Sequence, residues 1–238
     1  MSLAPDMQTI AAPRILPPFA RLAAVPTDAI GDWALEVGRW ELSLPERLQN
    51  APLKRQREFI AGRYCAAQAL RLAGAADWAA EIGTGPAGEP LWPAGFVGSI
   101  THTVTHATSA VAGCDDAISI GIDAEPFAGP ERVTRVSCIV LHACESRLKA
   151  TGFAPEAVFT LCFSAKEAFF KCLFPLVRRR FDYRDAAVRM IDVREQRIEI
   201  ELLTSLGTGY DRGRRITGRF DVEAGVVSTG FCIPRGKS

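Results

Sequence analysis

Asp123 and Glu125 stand one residue apart in Gly121-Ile122-Asp123-Ala124-Glu125-Pro126, at the end of a β-like run. Strand side chains alternate, so both carboxylates project from one face while Ala124 points away. Like charges at that spacing repel, and a cation offsets the repulsion. Mg²⁺, a hard ion satisfied by one or two carboxylates plus substrate phosphates, fits best. The plain alternative is a solvated pair before Pro126. A second cluster is Phe163-Ser164-Ala165-Lys166-Glu167-Ala168-Phe169-Phe170-Lys171. A Ser164-x-x-Glu167 capping box and a Glu167/Lys171 i,i+4 pair would account for its polar residues. Capping does not account for one turn that offers a carboxylate and two ammonium groups. The third is Gly98-Ser99-Ile100-Thr101-His102, with Lys54-Arg55-Gln56-Arg57-Glu58-Phe59-Ile60-Ala61-Gly62-Arg63 upstream. A serine hydroxyl, an imidazole and arginine forks suit a terminal phosphate. Their plain alternatives are a hydrogen-bonded strand histidine and a solvated basic helix face.

The elements that must position these groups can be read from periodicity. Apolar residues between Pro45 and Leu72 recur at helical spacing, with a break near Pro52 and a stop at Gly74. Gly and Pro crowd Ile82 to Gly98, which marks a loop. Runs at 98–103, 107–112 and 118–123 then predict a small sheet in the middle of the chain. Helices follow at Leu141 to Lys149 and at Glu156 to Phe174, the latter ended by Pro175. Four further strands are predicted at Ala186 to Val193, Arg197 to Leu203, Arg215 to Val222 and Val226 to Ile233. The first thirty residues, rich in proline, read as an extended arm or a strand-and-loop lead-in. Helix then sheet, twice, predicts an α+β fold of two pseudo-symmetric halves, 1–120 and 121–238, each a small antiparallel sheet packed with helices.

The chain has 238 residues, 28 Lys+Arg against 27 Asp+Glu, and 48% hydrophobic residues. That excludes a disordered chain. A net charge of +1 gives no long-range field to attract nucleic acid or an anionic membrane. No run reaches the roughly 18 apolar residues of a membrane span, and the N-terminus lacks a signal pattern, so a cytoplasmic protein is expected. Seven cysteines without a C-x-x-C pair read as reduced thiols.

Taken in order, the segments resemble the larger monomeric 4′-phosphopantetheinyl transferases, which activate siderophore, polyketide and non-ribosomal peptide synthases. The likeness rests on Arg55 to Arg63, Gly88-Glu89-Pro90-Leu91-Trp92-Pro93, Gly98 to His102, Gly121 to Glu125 and Phe163 to Lys171. It implies transfer of the phosphopantetheine arm of coenzyme A to a serine of an acyl or peptidyl carrier protein, with adenosine 3′,5′-bisphosphate released. By that likeness Asp123, Glu125 and Glu167 hold Mg²⁺, with Mn²⁺ as the alternative ion. Lys171 and Lys166 contact the pyrophosphate, and Arg55, Arg63 and His102, with Ser99 beside them, bind the 3′-phosphate. Glu167 is also the candidate base for the carrier serine, so Asp123, Glu167 and Lys171 form the expected catalytic set. Coenzyme A is expected in a cleft between the halves, and the protein is expected to act as a monomer. The chain departs from the pattern at Pro86-Ala87-Gly88-Glu89-Pro90, where relatives carry a basic residue. Two rivals are a catalytically silent coenzyme A or carrier-binding module of the same fold and a metal-dependent phosphodiesterase. The neutral charge balance argues against the latter.

Overall fold

The computed structural model describes residues 14–27, 44–78, 82–148 and 152–236. These form two compact units, one over Pro18–Ala117 and one over Ile118–Gly236, to which residues 14–17 also belong.

The first unit is organised by a long helix. Proline at 45 and at 52 precedes each of two helices, α1 (Glu46–Gln49) and α2 (Leu53–Leu72). A proline cannot donate the amide that a continuous helix would need, so the chain breaks where the sequence predicts. Gly74 then ends α2 in a left-handed turn at φ 79°. The helix buries Ile60, Ala61, Cys65, Ala66, Ala69 and Leu70 against a three-stranded antiparallel sheet. That sheet has the order β1 (Arg21–Pro26), β5 (His106–Gly113), β4 (Phe96–His102). The lead-in thus supplies an edge strand, while residues 1–13 and 28–30 of the expected arm lie outside the described residues. Two-residue strands β2 (Gly83–Thr84) and β3 (Pro90–Leu91) pair within the Gly/Pro-rich loop.

The second unit is a five-stranded sheet wrapped on one helix. Its order is β6 (Ala117–Pro126), β10 (Val226–Pro234), β9 (Arg215–Glu223), β8 (Arg197–Leu202), β7 (Ala186–Asp192). The strand carrying Asp123 therefore joins this sheet and not the one holding β4 and β5, which corrects the single mid-chain sheet expected. Along β8, Ile198, Ile200 and Leu202 are buried in alternation with Arg197, Glu199 and Glu201. The inner residues meet Phe220, Phe231 and the helix residues Leu161, Phe169 and Leu173 in one core. On the outer face Arg189, Glu199, Glu201 and Arg215 form an ion-pair network with contacts of 2.9–3.1 Å.

Helix boundaries differ from the pattern in two places. The stretch expected from Leu141 to Lys149 holds only a 3₁₀ turn, Ala143–Arg147, while Lys149 lies outside the described residues. The regular helix is α3 (Pro130–Val140), entered with Pro130 in its first turn. The last helix, α4 (Pro155–Val177), carries Pro175 in its final turn and ends only at Arg178, in the left-handed region at φ 50°. Ser164 lies in the middle of α4, so it caps nothing and instead shares a hydrogen bond with Thr229 at 2.9 Å. All seven cysteines are free thiols, three buried and two exposed. No helix among the described residues is long and apolar enough to cross a membrane.

Candidate active site

Gly121 explains how β6 brings its carboxylates to α4. A Cβ there would overlap the Ala168 carbonyl oxygen and the Cys172 amide nitrogen, so only glycine lets the strand lie on the helix backbone. Ser119 fastens the same crossing by donating to the Cys172 carbonyl at 2.6 Å. Two residues beyond Gly121, Asp123 Oδ1 accepts from Lys171 Nζ at 2.7 Å. Asp123 is 5% exposed, so this charge-assisted bond holds it in a dry setting.

Glu125 is balanced from the other side. Arg132, in the first turn of α3, donates to it at 3.0 Å and lies over the Phe163 ring at 5.1 Å. Burial, followed by the neighbouring Asp123 charge, still holds the Glu125 carboxyl above its ordinary range, with Arg132 and Lys171 opposing the shift. Two carboxylates that draw in two cations are a donor set for a hard divalent ion. Among the described residues no three His, Cys, Asp or Glu side chains gather as a metal centre by themselves. Mg²⁺ asks for less, one or two carboxylates with phosphate oxygens completing its shell, so the residues fit it.

Glu167 faces the same region from α4 and accepts a hydrogen bond from the Tyr183 hydroxyl. Burial first, and then the bond and charge of Glu167 with the charges of Asp123 and Glu125, push the Tyr183 hydroxyl well above its usual range. Tyr183 therefore remains a neutral donor within the field of all three carboxylates. Beside it opens a cleft of about 200 Å³ lined by Lys166, Glu167, Phe170, Phe181, Asp182, Tyr183 and Ala186.

Lys166 differs from expectation. It is 3% exposed, and its ammonium gives all three protons away: to Glu145 at 2.6 Å, the Val140 carbonyl at 2.8 Å and the Tyr183 carbonyl at 2.9 Å. No proton is left for a phosphate, so in this arrangement Lys166 ties elements together, while Lys171 donates to Asp123.

In the first unit, α2 and β4 bring Arg55 and His102 together. Gly62 makes room for this, since a Cβ there would come to 2.8 Å from Ile100. Arg55 Nη1 lies 2.9 Å from His102 Nε2. A guanidinium only donates, so Nε2 accepts, and the ring proton sits on Nδ1, which faces Glu58 at 3.8 Å. Arg63, two turns on, is 6% exposed, stacked 4.7 Å over Phe59, and donates to Gly83 O and Thr84 Oγ1 at 3.2 and 2.9 Å. Ser99 is 3% exposed and, three residues from His102, faces the opposite side of β4, because strand side chains alternate. Arg55 and His102 are thus paired, while Arg63 and Ser99 are set apart from them. Arg47 of α1 lies against the loop that lacks a basic residue, at 3.3 Å from where a Gly88 Cβ would be.

Two family descriptions match this chain: the 4′-phosphopantetheinyl transferase N-terminal domain over residues 44–112, and the 4′-phosphopantetheinyl transferase superfamily over residues 119–215. The 4′-phosphopantetheinyl transferase PptT of Mycobacterium tuberculosis is 35% identical over 206 residues, 80% of this chain and 86% of that protein. The chain belongs to the 4′-phosphopantetheinyl transferase family. Npt, a 4′-phosphopantetheinyl transferase of Nocardia iowensis, is 41% identical over 57% of this chain and 59% of its own length. Enterobactin synthase component D of Salmonella typhimurium is 34% identical over 53% of this chain and 51% of its own length. The chain thus spans between half and two thirds of these last two relatives. Three residues of this candidate site escaped the sequence reading. Arg132 lies in the first turn of a helix that the sequence reading did not place. Glu145 closes a capping turn with His142, a His-x-x-Glu signal readable only in retrospect. Tyr183 sits in a polar link with no pattern of its own.

Proposed function

We propose that this protein transfers the 4′-phosphopantetheine arm of coenzyme A to a serine of an acyl or peptidyl carrier protein, acting as a cytoplasmic, Mg²⁺-dependent monomer. The observation that carries the reading is Asp123, bonded to Lys171 of α4 and next but one to Glu125 on β6, with Glu167 on the same helix as Lys171, in a chain of this family. In the reaction the carrier serine oxygen forms a bond to the β-phosphorus, and the phosphoanhydride bond to the adenosine 3′,5′-bisphosphate breaks. The serine proton passes to Glu167 or, through water, to solvent.

Asp123 and Glu125, joined by Glu167, are the residues that would hold Mg²⁺. Once bound, the ion supplies charge neutralisation at the attacked phosphoryl group and the departing bisphosphate. Lys171, bonded to Asp123, would turn to a pyrophosphate oxygen once the carboxylate has another partner. Arg55 and His102 offer the 3′-phosphate a guanidinium fork and an imidazole. Arg63 is engaged with Gly83 and Thr84 and has no assigned part in this contact, whereas Arg47 stands where the Gly88 loop lacks a cation. The aromatic walls of the cleft beside Glu167 suit the uncharged part of the donor. Release of adenosine 3′,5′-bisphosphate from coenzyme A only when an apo carrier protein is present tests this reading. Release without carrier would favour a phosphodiesterase, and coenzyme A binding without release would favour a silent module.

A further inference from the structure

A half-buried glutamate such as Glu167 still has more than one rotamer, and a group that must both face a cation and receive a proton works only in one of them. Among the described residues, the Tyr183 side chain is hydrogen-bonded to Glu167. Tyr183 donates its hydroxyl to Glu167 Oε1, which leaves Oε2 for other partners. We propose that Tyr183 is the positioning residue for Glu167, fixing which carboxylate oxygen is presented to the metal and the carrier serine. The inference rests on the role given to Glu167 above.

Tyr183 is itself held at both ends. Its ring stacks on Phe163 of α4, one turn before Glu167, with centroids 5.7 Å apart and planes at 28°. Its backbone carbonyl accepts from Lys166 Nζ at 2.9 Å. Lys166 in turn is fixed by Glu145 at 2.6 Å, and both charges are almost wholly buried, at 2% and 0% side-chain exposure. Glu145 spends its other capacity on two backbone amides, those of His142 at 2.6 Å and Val188 at 2.7 Å. The result is a tie between the end of α3, the 3₁₀ turn, α4 and the start of β7, with the link bearing Tyr183 at its centre. A buried ion pair adds little net stability compared with apolar residues of the same shape. What this one provides is a fixed place for the Tyr183 carbonyl, and hence for its hydroxyl. The lysine adjacent to Glu167 thus acts through Tyr183 and not on phosphate.

The test is a double-mutant cycle on the full chain with Tyr183→Phe and Glu167→Gln, read by calorimetric titration of Mn²⁺ with coenzyme A bound, together with steady-state kinetics on an apo carrier. Tyr183→Phe keeps the ring and its stacking, so the melting temperature should move by no more than about 2 °C. Mn²⁺ affinity and kcat should each fall about tenfold, with KM for coenzyme A within about twofold. In the Glu167→Gln background the same change should alter Mn²⁺ affinity by less than about twofold, because the residue it positions has already been changed. A Tyr183→Phe variant with wild-type Mn²⁺ affinity, or one that loses affinity equally in both backgrounds, overturns the proposal, as does a wild-type protein that binds no Mn²⁺. If wild type binds Mn²⁺ and the cycle holds but no carrier is modified, the transferase reading falls while the Tyr183–Glu167 coupling stands.

Discussion

Glu125 carries an unresolved electrostatic conflict in the metal-free protein. Its carboxyl is raised by burial and by Asp123, so the folded state retains a proton that the unfolded chain gives up near pH 4.5. Below that pH both states are protonated and the group is neutral in its effect. As pH rises through the window between 4.5 and the raised folded value, wild-type stability should fall. Glu125→Gln should therefore melt higher than wild type at pH 7 without metal, with the gap closing toward pH 4.5, as followed by calorimetric melting across pH. Saturating Mg²⁺ should reverse the order at pH 7, since the substituted amide forfeits an ionic ligand. Asp123→Ala and Glu167→Ala should each lower kcat by at least about a hundredfold in a carrier-modification assay, with the melting temperature little changed for Glu167→Ala.

At the scale of elements, the placement of β6 on α4 decides whether these groups meet. Gly121→Ala would press a methyl into helix backbone that cannot yield, so it should cost about 1–3 kcal/mol by denaturant melting and lower turnover. Gly129→Ala, where the added methyl meets nothing within 4 Å and φ is −69°, should stay within about 0.5 kcal/mol. Much of this scale was legible in the sequence. Alternating Ile198, Ile200 and Leu202 fixed β8, Pro52 fixed the helix break, and Asp123 with Glu125 had to share a face. What was not legible depended on partners distant in sequence. The membership of β6 in the second sheet is decided by its hydrogen bonding beside β10, over a hundred residues later. The burial of Lys166 is decided by Glu145, twenty-one residues earlier on a different element. Helix α3 is a different case, since Pro130 at its start and Val133, Val136 and Val140 at helical spacing, packed in one cluster with Phe159 and Phe163, were there to be read. Ser99 was assigned beside His102 although a three-residue separation on a strand already places them on opposite faces.

At the scale of the whole molecule, each unit holds a separate part of the proposed chemistry, phosphate recognition on α2 and β4 and phosphoryl transfer on β6 and α4. The two parts should therefore be separable by donor. Arg55→Ala or His102→Ala should raise KM for coenzyme A about tenfold or more while leaving dephospho-coenzyme A nearly unaffected, since each removes a charge-assisted bond to the 3′-phosphate worth about 1.5–3 kcal/mol. Equal losses for both donors would contradict that assignment. Arg179 donates to the Ser205 carbonyl and the Arg212 amide to Ser205 Oγ, which brings Arg178 to Arg180 near Arg212, and charge reversal at these exposed arginines should raise KM for an acidic carrier without changing that for coenzyme A. The most direct measurement is the intact mass of an apo carrier protein after incubation with this protein, coenzyme A and Mg²⁺, with and without chelator. A gain of roughly 340 Da, abolished by chelator, is the predicted result. An unchanged mass across acyl and peptidyl carriers, under conditions where coenzyme A is bound, would contradict the account.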